Sequence, residues 1–190
     1  HGLCGNRNVW SKNIPILADK YKILAIDMFG HGNSSKGISP KEAFESYPSI
    51  IQTLINKEDL KHVVLIGHSI AGNLLLSCIE KKIRNVLAYV FVDCTFNASD
   101  KVVNSRNKLV DSLLNHPTSE INQALVNWYE TMMNMDAAKE DNELILSSLK
   151  NQDGTWALNF LKTTNLVRQA PQTNIPVLIF ESNWLTNAGP

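Results

Sequence analysis

Val63-Val64-Leu65-Ile66-Gly67-His68-Ser69-Ile70-Ala71-Gly72 is a buried-strand pattern that runs directly into a helix, with a serine at the junction. Four branched apolar residues in a row make the strand. Leu74, Leu75, Cys78 and Ile79 then give the helix after Ser69 one apolar face. In so sharp a turn, side chains two places before and two places after the serine would collide with neighbouring backbone. Gly67 and Ala71 meet that demand, and Gly72 lets the helix pack closely on the sheet. The bend exposes the serine hydroxyl, and the helix N-terminus behind it favours developing negative charge. A serine that only caps a helix gives the same five-residue pattern. The preceding strand, the following helix and two further motifs weigh against that plainer reading.

Outward from this junction, Ile23–Asp27, Val86–Asp93 and Val177–Phe180 repeat the apolar strand pattern, the last opening after Pro176. Strands of this kind alternating with helical stretches predict an α/β chain with a mostly parallel sheet covered on both faces. Ser39-Pro40 starts a helix whose apolar residues Phe44, Tyr47, Ile50, Ile51, Leu54 and Ile55 keep helical spacing. Pro48 inside it predicts a kink or a restart. From Asn97 to Gln172 no strand pattern occurs and several helices are expected. Ile121, Leu125, Trp128, Met132 and Met135 form one stripe there, and Leu144, Ile145 and Leu149 another. Core packing is the first reading of such stripes, and lining an apolar substrate pocket the second. The predicted organisation is a core over 1–96 with the strand–serine–helix junction, a helical lid inserted over 97–172, and a return to the core over 173–190.

The 190 residues are 44% hydrophobic, with 18 basic against 18 acidic side chains. That balance offers no basic face for nucleic acid or an anionic membrane, and the longest apolar runs are far too short for a bilayer span. Cys4, Cys78 and Cys94 lack the spacing of a zinc site or a disulfide framework, which fits a reducing, cytoplasmic setting. No metal and no organic cofactor are implied.

Two more motifs complete a resemblance. His1-Gly2-Leu3 with Trp10 resembles the loop after the third strand of the α/β-hydrolase superfamily, and Asp27-Met28-Phe29-Gly30-His31-Gly32-Asn33-Ser34 resembles that family's Asp-x-x-Gly-x-Gly-x-Ser turn. With the junction at Ser69 these stand in the family's order, and the resemblance covers nearly the whole chain. It implies Ser69 as the nucleophile, with the backbone N–H groups of Leu3 and Ile70 holding the oxyanion. The family order of nucleophile, acid, then histidine is not met within these residues. His1 and His31 belong to loop motifs, His62 precedes the strand, His68 points away from the pocket of Ser69, and His116 precedes Pro117 at a helix end. The resemblance therefore implies a base beyond residue 190 and a further strand before residue 1, as in a fragment. The acid is Asp93, at the end of Val90-Phe91-Val92-Asp93, or else Glu181, in the loop Glu181-Ser182-Asn183-Trp184-Leu185. Asp27 reads as a turn former that bonds amides of its own loop.

Three functions fit. One is hydrolysis of a carboxylic ester or related acyl substrate through an acyl-enzyme at Ser69; a serine there argues against the branches of the family that use aspartate. Another is a hydrolase-fold receptor that keeps the pocket for ligand binding, and the third is an inactive fragment. Trp128, Tyr129, Met132 and Trp156 suggest an apolar small-molecule substrate. Oligomeric state is not legible.

Overall fold

A computed structural model describes residues 1–132, 139–164, 169 and 172–181. Three strands, β1 (Val63–His68), β2 (Val86–Val92) and β3 (Val177–Phe180), form a parallel sheet in the order β1-β2-β3. Among the described residues seven α-helices accompany them: α1 (Ile14–Ala18), α2 (Pro40–Lys57), α3 (Ala71–Glu80), α4 (Asp100–Leu114), α5 (Ile121–Met132), α6 (Lys139–Lys150) and α7 (Gly154–Thr163). Met135 and the loop from Ser182 to Leu185 lie outside the described residues, as does the side chain of Met132.

The register alternates the sheet's two faces. Leu65, Gly67, Tyr89 and Phe91 face α2 and α3, and Tyr89 and Phe91 are fully buried there. Val64 and Ile66 of β1 and Leu178 and Phe180 of β3 share the other face and stay about half exposed. The expected cover on both faces is thus found on one, among the described residues.

Ile23–Asp27, expected as a strand, is not one. An apolar run becomes a strand only where a neighbour accepts its backbone hydrogen bonds, and no described segment pairs with it. Its C-terminal end is fixed instead through Asp27 and Met28, whose contacts belong to the site.

α2 begins as its sequence predicts. The Ser39 hydroxyl accepts from Glu42 N at 3.2 Å while Glu42 reaches back to Ser39 N at 3.1 Å, a reciprocal cap with Pro40 in the first turn. Pro48 neither ends nor restarts this helix, which runs unbroken for 18 residues. It lies among Ala43, Tyr47, Ile51 and Ile55 on the buried face, and that burial outweighs the one hydrogen bond a proline removes.

Helices α4 to α7 connect β2 to β3 and build a second apolar cluster around Val110, Leu113, Leu125, Leu149 and Leu158. α7 also joins the first cluster. Its Trp156 and Phe160 stack at 5.1 Å and pack with Met28, Ala43 and Tyr47. No helix among the described residues is long and apolar enough to cross a membrane.

Candidate active site

Ser69 sits where β1 hands over to α3, with φ +54, a left-handed conformation that is uncommon and costly for a residue with a side chain. Its own N–H still bonds Val92 O at 2.9 Å, so the bend occurs within one residue of the sheet. The glycines around it are tightly enclosed. A Cβ at Gly67 would stand 2.9 Å from Leu75 Cδ1 and 3.1 Å from the Ala71 carbonyl carbon, and one at Gly72 would stand 2.5 Å from Cys94 Sγ. Cys94 is buried and donates its thiol toward Gly67 O and Val92 O at 3.4 and 3.3 Å. Burial pushes that thiol up to about 11, so it packs the elbow as a neutral group.

The loop opening the chain lies against this bend. A Cβ at Gly2 would stand 3.0 Å from His68 Nδ1 and 3.3 Å from Ser69 Cβ, so only a glycine fits without displacing its neighbours. Gly5 N bonds Gly2 O at 3.2 Å, which turns the chain through Leu3 and Cys4, the latter at φ +61. No described residue accepts a hydrogen bond from the N–H of Leu3 or of Ile70.

His1 fixes this loop to the next. Its Nε2 accepts from Met28 N at 2.9 Å, and its ring lies 5.2 Å from that of His31. His31 is fully buried, bonds Phe29 O through Nδ1 at 2.8 Å, and is flanked edge-on by Trp156 and Phe160. Burial holds its pKa down to about 4, against a weaker upward pull from the Phe29 carbonyl.

Asp27 organises the same turn. Its carboxylate accepts from Asn33 N at 2.9 Å within its own loop, as the sequence implies, and from Arg7 N at 2.7 Å with the Arg7 guanidinium at 3.1 Å. The Arg7 contacts were not legible. They join positions 20 residues apart, and a single arginine among polar neighbours gives no signal.

Asp93 follows β2 at φ +52, with its N–H on Phe180 O at 2.7 Å. It is half-buried and close enough to His68 to pull that imidazole's pKa upward, against the larger lowering by burial. Since His68 pairs with Val92 in the sheet, both groups stand at the C-terminal edge of the strands beside Ser69. Glu181 is exposed directly beyond β3. His62 and His116 are exposed, and among the described residues no imidazole hydrogen-bonds the Ser69 hydroxyl. Of two shallow, open surface clefts, one of about 390 Å³ between α2 and the end of α3 and one of about 350 Å³ along Ala25–Phe29 and α2, neither includes Ser69.

Comparison with known proteins agrees with this architecture. The family model described as alpha/beta hydrolase fold matches residues 1–186. An uncharacterized hydrolase, YugF, of Bacillus subtilis (strain 168) is 30% identical over 82 residues, 43% of this chain and 30% of its own length. A probable serine hydrolase of Drosophila melanogaster is 27% identical over 123 residues, 62% of this chain and 37% of the relative. In these and other curated relatives the chain spans between 20% and 37% of their length. The solved structure of a putative acyltransferase from Salmonella enterica superposes with a TM-score of 0.77 at 15% identity, over 100% of this chain and 72% of that one. On its fold, its elbow and the family model that covers nearly all of it, this chain belongs to the α/β hydrolase fold family.

Proposed function

We propose that Ser69 is the nucleophile of a serine hydrolase acting on a carboxylic ester or related acyl substrate. The Ser69 oxygen bonds to the substrate carbonyl carbon, the bond to the leaving alcohol breaks, and the alcohol departs with a proton. Water then cleaves the acyl-enzyme and restores the hydroxyl. The N–H groups of Leu3 and Ile70 hold the carbonyl oxygen while it carries negative charge. Fixed donors of this kind are worth about 3–4 kcal/mol each in the transition state. Asp93 is the acid that orients the histidine base such a serine requires.

One observation carries the reading. A serine is held in a left-handed conformation at the end of a parallel strand, with a glycine of the loop bearing Leu3 pressed against it. The N–H groups of Leu3 and Ile70, next in sequence to that glycine and to Ser69, have no acceptor among the described residues, and a backbone donor needs no particular side chain at either position. The relatives named as hydrolases and esterases support the same class. Trp128 and Tyr129, half-buried at the edge of the second apolar cluster, suit an apolar acyl group, and the helices between β2 and β3 serve as a lid.

The test is covalent labelling of the complete protein with a fluorophosphonate probe, followed by peptide mapping. The label is expected on Ser69 and lost in Ser69→Ala. A folded protein that leaves Ser69 unlabelled while a reference serine hydrolase reacts would overturn the proposal.

A further inference from the structure

The turn that carries Leu3 is attached on its far side to the helices between β2 and β3. Cys4, the next residue, is 1% exposed, and its side chain belongs to the second apolar cluster with Val110, Leu125 and Leu149 rather than to the sheet's core. It reaches that cluster from a left-handed backbone, where glycine would sit more comfortably. Burial pushes its thiol up to about 12, so it fills its place as an apolar group. Two residues further on, Asn6 Nδ2 donates to Ser148 Oγ of α6 at 2.7 Å, across 142 positions of sequence. The other end of the same amide caps the following 3-10 turn through Asn8 N at 2.8 Å. Ser148 in turn donates to Leu144 O at 3.1 Å, which fixes its hydroxyl as the acceptor of the Asn6 bond.

The turn from Gly2 to Gly5 is closed by one 3.2 Å hydrogen bond, so it has little stiffness of its own. An oxyanion donor must be held to within about half an ångström of its productive place. Ser69 limits the turn from one side through Gly2, and Cys4 and Asn6 limit it from the other.

We propose that Cys4 and Asn6 are positioning residues: seated in α4–α6, they hold the Leu3 N–H in register with Ser69, which makes the helices between β2 and β3 part of the oxyanion-binding apparatus. This rests on the assignment of Ser69 and Leu3 above. A substrate that spreads these helices would therefore loosen the Leu3 donor, and one that seats them would tighten it.

The test uses Ser148→Ala, Asn6→Ala and the double variant of the complete protein, with a short acetyl ester that makes little contact with the helices. Each single change is expected to lower kcat about tenfold, a fraction of the about 10²–10³-fold cost of losing an oxyanion donor outright. KM should stay within about twofold, and the affinity for a trifluoromethyl ketone transition-state analogue should fall by the same factor as kcat. Because the two residues meet through one hydrogen bond, the double variant should be no slower than Asn6→Ala, which also loses its cap on Asn8 N. Cys4→Ala repeats the test from the other anchor if a variant at the first fails to fold. Folded variants with kcat and analogue affinity within twofold of the parent overturn the inference, as does a raised KM at constant kcat. Fluorophosphonate labelling in the same set separates the two proposals. A labelled Ser69 with unaffected variants removes only the positioning role, whereas an unlabelled parent protein removes both.

Discussion

Replacing Gly30 with alanine tests the tightest junction between the sheet's core and the helices that follow β2. Gly30 has φ +74, and a Cβ there would stand 2.2, 2.4 and 2.5 Å from Cε3, Cζ3 and Cδ2 of Trp156. Carbon atoms in contact sit at about 3.5–4.0 Å, so the indole must retreat by more than about 1 Å. Three losses follow. The left-handed backbone costs an alanine about 1–2 kcal/mol whatever the space around it. The displaced ring gives up the bond from Nε1 to Ile38 O, 2.8 Å long and worth about 1 kcal/mol net. It also disturbs a stack on Phe160 that lies within 17° of parallel, worth about 0.5–1.5 kcal/mol. Gly30→Ala should therefore destabilise by about 3–4 kcal/mol. In a Trp156→Ala background only the backbone cost remains, about 1–2 kcal/mol, which leaves a coupling of about 2 kcal/mol between the two sites. Urea unfolding of the parent, the two single variants and the double variant measures each quantity. An alanine penalty at Gly30 that is the same with and without the indole refutes the reasoning, because backbone strain alone would then account for it.

Two further predictions concern the same layer of loops. His31 stays neutral in the folded chain down to about pH 4, while the unfolded chain takes up that proton near its ordinary 6.5; stability should fall as pH drops through this window, by about 3 kcal/mol in total. Urea midpoints at pH 7.5 and 4.5 should show that loss in the parent and a smaller one in His31→Gln, and equal slopes would remove His31 as the cause. Ser69→Gly should relieve the left-handed strain and raise stability by about 0.5–1 kcal/mol, net of the extra freedom of glycine in the unfolded chain, while abolishing fluorophosphonate labelling. Thermal denaturation reads the first effect, and a less stable Ser69→Gly would show that the bend is not strained.

What the sequence disclosed was local. The spacing from Val63 to Gly72 specifies a strand, a cramped turn and a helix within ten residues, and Ser39 with Glu42 specifies a cap within four. Each rests on neighbours in the chain, so pattern alone reaches it. Ile23–Asp27 shows where pattern stops: its residues favour a strand, but pairing is decided by what lies alongside. Pro48 shows the converse, since the local penalty is real but is outweighed by a buried stripe that only the folded molecule supplies. At the candidate site, Ser69, Leu3, Ile70 and Asp93 were nameable from motifs. The groups that hold them were not. Asn6 meets Ser148 and Gly30 meets Trp156 across more than a hundred residues, and although Gly30 stands in a turn motif, nothing in the sequence pairs either residue with its partner.

The distribution of left-handed residues sharpens the argument for a site. Among the described residues, seven other than glycine adopt positive φ: Cys4, Asp59, Ser69, Lys82, Asn85, Asp93 and Asn97. Asp and Asn tolerate that conformation through short polar side chains, which accounts for four of them. Lys82 follows the last turn of α3, where helices commonly end in this way. Cys4 and Ser69 have neither explanation, and they belong to the two segments that meet where Gly2 touches Ser69. At either position a glycine would satisfy the backbone at lower cost. The chain instead places a thiol that fills an apolar cluster and a hydroxyl that stands at a bend. Strain retained at two contiguous places, and at no other place lacking a local cause among the described residues, is what selection for a reacting hydroxyl and a fixed donor loop would leave.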